Sequence, residues 1–212
     1  MYNIRWSPSR FQCLDDHLQE GIPVDSAGLK IYGERERLDQ RHAVRPRRRW
    51  RKLHLGVDAN NHEIVAVELT RDDVGDVAAV PDLLDQIDGS IASMTGDRAH
   101  DGQAAYDAVA ERHPEPAVVI PPRSTAAPSA TTATQRDQRF HTIAKHGRIS
   151  RQRLSGYSRR SRVETAISRY KAIPGRLLHA RTLPNQKTRA KIACNVLNRM
   201  TSLGMPVSVR IK

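Results

Sequence analysis

Cysteine and aromatic residues are scarce in this chain of 212 residues. It has only two cysteines, Cys13 and Cys194, and Trp, Tyr and Phe together make up 4% of the sequence. Two cysteines so far apart match no metal-ligand spacing, and they suit a reducing compartment as plain thiols. With so few rings, any core has to be built mainly from Val, Ile, Leu and Ala.

Long apolar runs are absent as well. No run approaches the roughly 20 residues that a membrane-spanning helix needs. The first residues, Met-Tyr-Asn-Ile-Arg-Trp, form no apolar signal segment. We therefore expect a cytoplasmic protein with no membrane partner.

Acidic residues are outnumbered. The chain has 35 Lys and Arg against 23 Asp and Glu, a formal net charge of +12 and a pI near 10.4. Such a charge calls for a polyanionic partner, most often nucleic acid. Six of the eight residues from 45 to 52 are basic. This run predicts DNA-backbone contacts, with a solvated basic loop as the alternative. Its candidate contact residues are Arg47, Arg48, Arg49, Trp50, Arg51 and Lys52.

The first half of the chain favours β-structure. A strand is predicted at residues 22–27, ending in a turn at Gly28. Residues 52–58 and 63–70 alternate apolar and polar side chains, and residues 59–62 have the Asn content of a tight turn. These two strands form a predicted antiparallel hairpin. Val65, Val67 and Leu69 are expected on one face of its second strand.

The second half alternates helix and strand. Helices are predicted at 73–87 and 102–112, and strands at 91–95 and 117–120. This pattern indicates an α/β protein with a mixed sheet flanked by helices. Residues 122–150 are interpreted as a long loop or excursion. Helices at about 155–173 and 185–203 follow, the last with an apolar stripe of Ile192, Val196, Met200 and Leu203.

One face of the predicted helix at 155–173 is polar. At about 100° per residue, four side chains fall within roughly 60° of one another. They are Tyr157, Arg160, Glu164 and Lys171. A solvated face with an ordinary Arg–Glu pair four residues apart explains this stripe equally well.

The same four residues resemble a known motif. Their spacing matches the Y-R-E-K signature of bacterial insertion-sequence transposases with Asp-Asp-Glu (DDE) catalysis. Residues 24–30, Val-Asp-Ser-Ala-Gly-Leu-Lys, resemble the first-aspartate motif of that family, and Thr95-Gly96-Asp97 resembles the second. Residues 50–58 and 175–181 are similar to its following hairpin and its tail. The resemblance is strongest to the insertion-sequence-five type, and it covers most of the chain from about residue 21 onward.

The resemblance implies a ribonuclease H-like fold and a metal-dependent reaction. Asp25, Asp97 and Glu164 would be the catalytic carboxylates and would hold Mg²⁺ or Mn²⁺, as two ions about 4 Å apart. Tyr157, Arg160 and Lys171 would contact DNA. The reaction would be DNA strand cleavage and strand transfer of an insertion sequence. The expected partners are double-stranded DNA with terminal inverted repeats and a second copy of the chain, in a bacterial cytoplasm at the nucleoid.

Simpler roles stay open for these residues. Asp25 could begin a turn before Gly28, and Tyr157 could serve packing alone. Asp97 could cap the following helix, a role for which Asp101 competes. The family commonly has Gly and then Ala-Tyr-Asp after the second aspartate, whereas this chain has Arg98-Ala99-His100-Asp101.

The predicted domain organisation has three parts. Residues 21–204 form the catalytic domain, residues 1–20 a short lead-in and residues 205–212 a tail. The family usually carries a helical DNA-binding region before its first aspartate, so residues 1–20 could be the remnant of one. Two other functions stay open: a standalone nuclease of the same fold, and an inactive, truncated remnant that binds DNA.

Overall fold

A mixed β-sheet with helices on both faces is the scaffold of the computed structural model, which describes residues 21–32, 50–112, 117–123, 125, 135–137 and 157–204. Its strands are β1 (Ile22–Ile31), β2 (Trp50–Val57), β3 (Ile64–Arg71), β4 (Ser93–Thr95), β5 (Ala117–Val119) and β6 (Leu177–Leu178). Its helices are α1 (Val80–Leu84), α2 (Gln103–Arg112), α3 (Ser161–Ala172) and α4 (Leu183–Ser202). Short 3-10 turns occupy Val77–Ala79, Arg98–His100 and Tyr157–Arg160.

Strand β1 lies at the centre of the sheet. The strand order is β3-β2-β1-β4-β5, and β6 also pairs with β1. The first three strands are antiparallel, whereas β4 and β6 run parallel to β1 and β5 runs parallel to β4. The predicted α/β class is confirmed, and the architecture agrees with the ribonuclease H-like fold that the resemblance implies.

The pleat of β1 divides the core in two. Alternate residues of a strand point to opposite faces, and so Ala27 and Leu29 pack with α3 and α4 on one face. On the other face, Ile22 and Val24 pack with α1 and α2. Asp25 has the same parity as Ala27, which places it on the α3 side of the sheet.

The hairpin prediction is confirmed, but two details of the strands are corrected. Strand β1 continues through Gly28 to Ile31 instead of turning. A Cβ at Gly28 would lie 3.3 Å from the Trp50 ring, so the missing side chain makes room for that ring. Val65 does not share a face with Val67, because a bulge beside Gly56 shifts the register and Val57 pairs with Ile64. Val65 instead packs against the other core.

The helices also differ from the prediction in two places. The helix expected at 73–87 is shorter, and α1 begins only at Val80, with a proline in its first turn. Helix α4 is present, but its apolar stripe faces solvent: Ile192, Val196, Met200 and Leu203 are all exposed. The buried face consists of Gln186, Ala190, Cys194 and Leu197. Small side chains at Ala190 and Cys194 let the helix lie close to the sheet.

Several predictions fall outside the described residues. These are the lead-in at 1–20, the tail at 205–212, the DNA contacts of Arg47, Arg48 and Arg49, and most of the 122–150 excursion. Within the part of the chain that the structure describes, no helix is long and apolar enough to cross a membrane.

Candidate active site

Arg160 joins two of the predicted carboxylates. Its Nη2 lies 3.1 Å from Oδ2 of Asp25 and 3.0 Å from Oε1 of Glu164. Because both oxygens touch one nitrogen, they are no farther apart than the two distances taken together, about 6 Å. Asp25 lies 135 residues before Arg160 and 139 residues before Glu164, so only folding brings the three side chains together. Strand β1 supplies Asp25, and the start of α3 supplies Glu164.

Local structure explains both placements. Asp25 lies inside β1, where its Oδ1 accepts a hydrogen bond from the Ser26 amide, so the turn interpretation is wrong. Glu164 lies in the first turn of α3, where the positive end of the helix dipole favours a carboxylate. The Glu164 side chain is 52% exposed. The site is therefore open to solvent on the helix side.

Asp97 is brought to the same region by the parallel pairing of β1 with β4. Ile22 pairs with Met94, and Pro23 pairs with Thr95. Strand β4 ends at Thr95, so Asp97 follows it at the edge toward which β1 runs on to Asp25, and the charge of Arg160 acts on Asp97 as well. The 3-10 turn that carries Arg160 contacts both strands.

Asp97 caps the short 3-10 turn Arg98–His100 and not the helix at Gln103–Arg112, which the alternative interpretation had it cap. Its Oδ1 accepts a hydrogen bond from the Ala99 amide at 2.9 Å, and it lies 2.8 Å from Nδ1 of the buried His100. The hydrogen bond with His100 lowers the pKa of Asp97, burial opposes this effect, and the charge of Arg160 adds to the lowering. The carboxylate is thus held ionised beside the arginine.

Arg160 is likewise held in its charged form. Burial works against its charged form, but the hydrogen bond to the Tyr157 hydroxyl and the charge of Asp25 raise its pKa above the ordinary value. One guanidinium charge is therefore shared by carboxylates from β1 and α3, and it also acts on the carboxylate that follows β4.

Comparison with known proteins shows the family of the chain. The family model described as "Transposase DDE domain" matches residues 16–199. The chain belongs to the DDE transposase family. The match spans Asp25, Asp97 and Glu164, and membership supports a transposase function with DNA as the partner.

The transposase chain does not hold a preformed metal-binding group among its described residues. No three His, Cys, Asp or Glu side chains there approach closely enough to hold an ion. The donor chemistry still suits a hard cation, because carboxylate oxygens are the preferred ligands of Mg²⁺. In this structure the Arg160 guanidinium is the cation on which Asp25 and Glu164 converge.

The other residues of the predicted polar stripe are only partly brought together. Tyr157 and Arg160 lie in a 3-10 turn instead of the predicted α-helix, and Tyr157 accepts a hydrogen bond from Arg160 Nη1 at 3.3 Å. Lys171 lies near the end of α3 and is half-buried. Their contacts with DNA stay predictions.

The described part of the basic run has partners within the chain. Arg51 donates to the Gln186 side chain at 3.0 Å, and Lys52 donates to the Val74 carbonyl at 2.9 Å. Trp50 is 37% exposed. Direct DNA contacts by these three residues stay predictions, as do those of Arg47, Arg48 and Arg49, which lie outside the described residues.

Sequence reasoning missed two supports of this site. His100 forms a hydrogen bond with Asp97. Its position three residues after an aspartate that can cap a turn was a signal in the sequence for such a contact. Asp101 is held by a bidentate contact from Arg136 at 2.8 and 3.2 Å and by the Arg123 amide at 2.8 Å. Burial opposes ionisation of Asp101, but these donors keep its pKa below the ordinary value. Nothing local in the sequence pairs residues 35 apart.

Proposed function

We propose that the chain cleaves DNA strands and transfers them as the transposase of an insertion sequence, with Asp25, Asp97 and Glu164 as its catalytic carboxylates. One observation carries the proposal: oxygens of Asp25 and Glu164 meet at a single cationic nitrogen, in a 3-10 turn that contacts β4, the strand that precedes Asp97. Like charges gathered at an open site are costly unless a cation is shared among them. Such a site is suited to exchanging one cation for another.

Divalent metal ions are the cations that such carboxylates would hold. Mg²⁺ or Mn²⁺, as one or two ions, would activate the attacking oxygen and stabilise the leaving oxygen of a phosphodiester. The residues that would hold them are Asp25, Asp97 and Glu164, with His100 fixing the orientation of Asp97. Arg160 would then be released from the carboxylates and could contact phosphate oxygens, for which a guanidinium is well shaped.

The finer features of the proposal rest on the resemblance and on charge. The spacing of Tyr157, Arg160, Glu164 and Lys171 supports the Y-R-E-K, insertion-sequence-five type. The net charge of +12 supports binding to double-stranded DNA. Terminal inverted repeats as the specific DNA, a homodimer on DNA and a nucleoid location are further parts of this proposal.

The test is Glu164→Gln, which keeps size and hydrogen-bonding capacity but removes the charge that holds a hard cation. We expect the wild-type chain to nick and join terminal-repeat DNA in Mg²⁺ or Mn²⁺, and the variant to lose this by about a thousandfold or more, since the metal supplies several kcal/mol. Duplex affinity should be unchanged. Glu111→Gln, on an exposed position of α2, is the matched control and should keep full activity.

The products distinguish the proposal from its alternatives. Strand-transfer products together with nicks support a transposase, whereas nicks alone would indicate a standalone nuclease of the same fold. Duplex binding without any cleavage, even with Mn²⁺ and pre-nicked DNA, would indicate an inactive remnant. Equal cleavage by wild type and Glu164→Gln would contradict the assignment of Glu164.

A further inference from the structure

A second arginine, Arg123, holds the 3-10 turn that follows Asp97. Arg123 comes after β5, and its Nε donates to the Arg98 carbonyl at 3.1 Å while its Nη2 donates to the Ala99 carbonyl at 2.8 Å. Both carbonyls belong to the turn Arg98–His100. A guanidinium presents its donors in a rigid planar fork. The two bonds therefore fix the turn against the segment after β5.

The same two peptide groups bind Asp97 through their N–H ends. A peptide group is rigid and planar, so the Arg98 carbonyl and the Ala99 amide move as one unit. The Ala99 amide donates to Oδ1 of Asp97 at 2.9 Å, and the His100 amide donates to the Asp97 main-chain carbonyl at 3.2 Å. Each peptide group of the turn therefore joins Arg123 at its carbonyl to Asp97 at its N–H.

Hydrogen bonds arranged in such a chain strengthen one another. A cation at the carbonyl end polarises the peptide group, and the N–H at the other end becomes a better donor. The acceptor of the Ala99 amide is an ionised carboxylate, and hydrogen bonds to ionised groups are the stronger kind. Arg123 therefore acts on the Asp97 carboxylate through the turn that lies between them.

The main chain of Arg123 is anchored independently of its guanidinium. Its amide donates to Oδ2 of Asp101 at 2.8 Å, and Arg136 binds the same carboxylate from two nitrogens. The Asp101 side chain is only 1% exposed, so water hardly competes for this anchor. Because the chain is already fixed here, the exposed Arg123 side chain loses less entropy when it binds the turn.

The turn also determines which oxygen of Asp97 is left for a cation. Oδ1 accepts from the Ala99 amide and lies 2.8 Å from Nδ1 of His100, so both contacts use the same oxygen. Within the part of the chain that the structure describes, no donor contacts Oδ2. The Asp97 side chain is 30% exposed. Oδ2 is therefore the oxygen whose lone pairs are available to a ligand.

We infer that Arg123 is a positioning residue for Asp97, because it fixes the turn that occupies Oδ1 and leaves Oδ2 for the divalent ion. The inference rests on the proposed function, in which Asp97 is a ligand of that ion. The charge of Arg123 has the opposite effect, since a guanidinium near the site repels a metal ion. Loss of this charge alone would strengthen metal binding, whereas loss of the positioning weakens it.

The first measurement uses the full chain without metal. NMR follows the Ala99 amide in wild type and in Arg123→Gln, which lacks the fork but keeps the main-chain bond to Asp101. We expect the amide proton to move to higher field and to exchange roughly threefold to tenfold faster, the range that one hydrogen bond accounts for. Arg71→Gln, which removes an exposed arginine paired with Asp73, is the matched control and should leave Ala99 unchanged.

The second measurement is Mn²⁺ affinity. Arg123→Gln should weaken it by about tenfold, and Arg123→Lys, which keeps the charge but not the fork, should recover only part of the loss. In an Asp97→Asn background, Arg123→Gln should have no further effect, because both substitutions act through one ligand. Chemical denaturation of each variant confirms that it is folded.

Three results would overturn the inference. They are an Ala99 amide that Arg123→Gln does not affect, an unchanged or stronger Mn²⁺ affinity in that variant, and a full loss from Arg123→Gln in the Asp97→Asn background. The metal-free readout also keeps this inference apart from the proposed function. If Asp97→Asn itself binds Mn²⁺ like wild type, the metal assignment of Asp97 fails, and the Ala99 amide still decides whether Arg123 positions that side chain.

Discussion

Two arginine–carboxylate clusters of this chain differ in how far solvent reaches them. In the closed cluster, Arg136 holds Asp101, whose side chain is 1% exposed. In the open cluster, Arg160 holds Asp25 and Glu164, which are 13% and 52% exposed. The closed cluster pairs one carboxylate with several donors, whereas the open one gathers several carboxylates around one cation.

The difference shows how a structural ion pair is told from a functional one. Asp101 is buried and accepts three hydrogen bonds from Arg136 and from the Arg123 amide, so most of its roughly four acceptor sites are occupied. Its contacts fix the segment after β5 against the turn that follows Asp97. The open cluster has more carboxylate oxygens than donors, and its exchangeable cation is the feature that suits catalysis.

The largest effect should come from the closed cluster. Asp101→Ala leaves Arg136 without its carboxylate and should lower the free energy of unfolding by about 3–5 kcal/mol. Chemical denaturation of the full chain measures this. Glu164→Gln, at the exposed position of the open cluster, should change stability by less than about 1 kcal/mol. Equal losses in the two variants would remove the distinction between the clusters.

Lowering the pH should destabilise the protein through the buried His54 imidazole before it affects either cluster. Burial lowers the pKa of His54 from 6.5 to about 4, although Asp76 partly opposes this. An unfolded chain takes up this proton near pH 6.5 and the folded chain only near pH 4. Stability should therefore fall by roughly 3 kcal/mol between these values.

Denaturation at pH 7 and at pH 4.5 checks the slope. His54→Gln should remove most of it, at a lower overall stability. The pKa values of Asp97 and Asp101 are lowered, so the stability that these carboxylates contribute is lost only at more acidic pH, below the ordinary Asp range. A wild-type stability that is flat from pH 7 to 4.5 would contradict a neutral, buried His54.

A smaller effect is expected for the residue that orients Asp97. His100→Ala removes the ring that hydrogen-bonds to Asp97 Oδ1 and should weaken Mn²⁺ affinity by about 10- to 100-fold. His100→Asn, which retains a donor, should recover part of the loss. His179→Ala, an exposed histidine far from the carboxylates, is the control. Unchanged Mn²⁺ affinity in His100→Ala would show that Asp97 needs no such support.

The smallest and most diffuse effect concerns the basic run. Neutralising Arg47, Arg48 and Arg49 together should weaken binding to any duplex and reduce the slope of log affinity against log salt by up to about 3. Strand cleavage at saturating DNA should persist, which would separate phosphate binding from the carboxylate site. A salt slope identical to wild type would show that the run does not contact phosphates.

Local pattern and motif spacing predicted much of this molecule. The β2–β3 hairpin follows from alternation and Asn-rich turn residues, and α2 was predicted to within one residue. The Arg160–Glu164 pair follows from a separation of four residues. Such features depend on near neighbours along the chain, which is why sequence alone is enough.

The features that escaped prediction depend on tertiary packing. A helical stripe at Ile192 and Val196 shows that one face is apolar, but not which face meets the sheet. The bulge beside Gly56 moves Val65 to the other face, and alternation cannot show a register shift. The Asp101–Arg136 contact joins residues that no local rule connects.

The most direct test of the central claim is metal binding, measured by electron paramagnetic resonance of Mn²⁺ with the full chain. If Asp25, Asp97 and Glu164 form one site, then Asp25→Asn, Asp97→Asn and Glu164→Gln should each weaken Mn²⁺ affinity by about tenfold or more, and Glu111→Gln should not. Arg160→Met should strengthen it, because the competing cation is removed. Wild-type affinity in any of the three carboxylate variants, or an Arg160→Met variant that binds Mn²⁺ more weakly, would contradict the account.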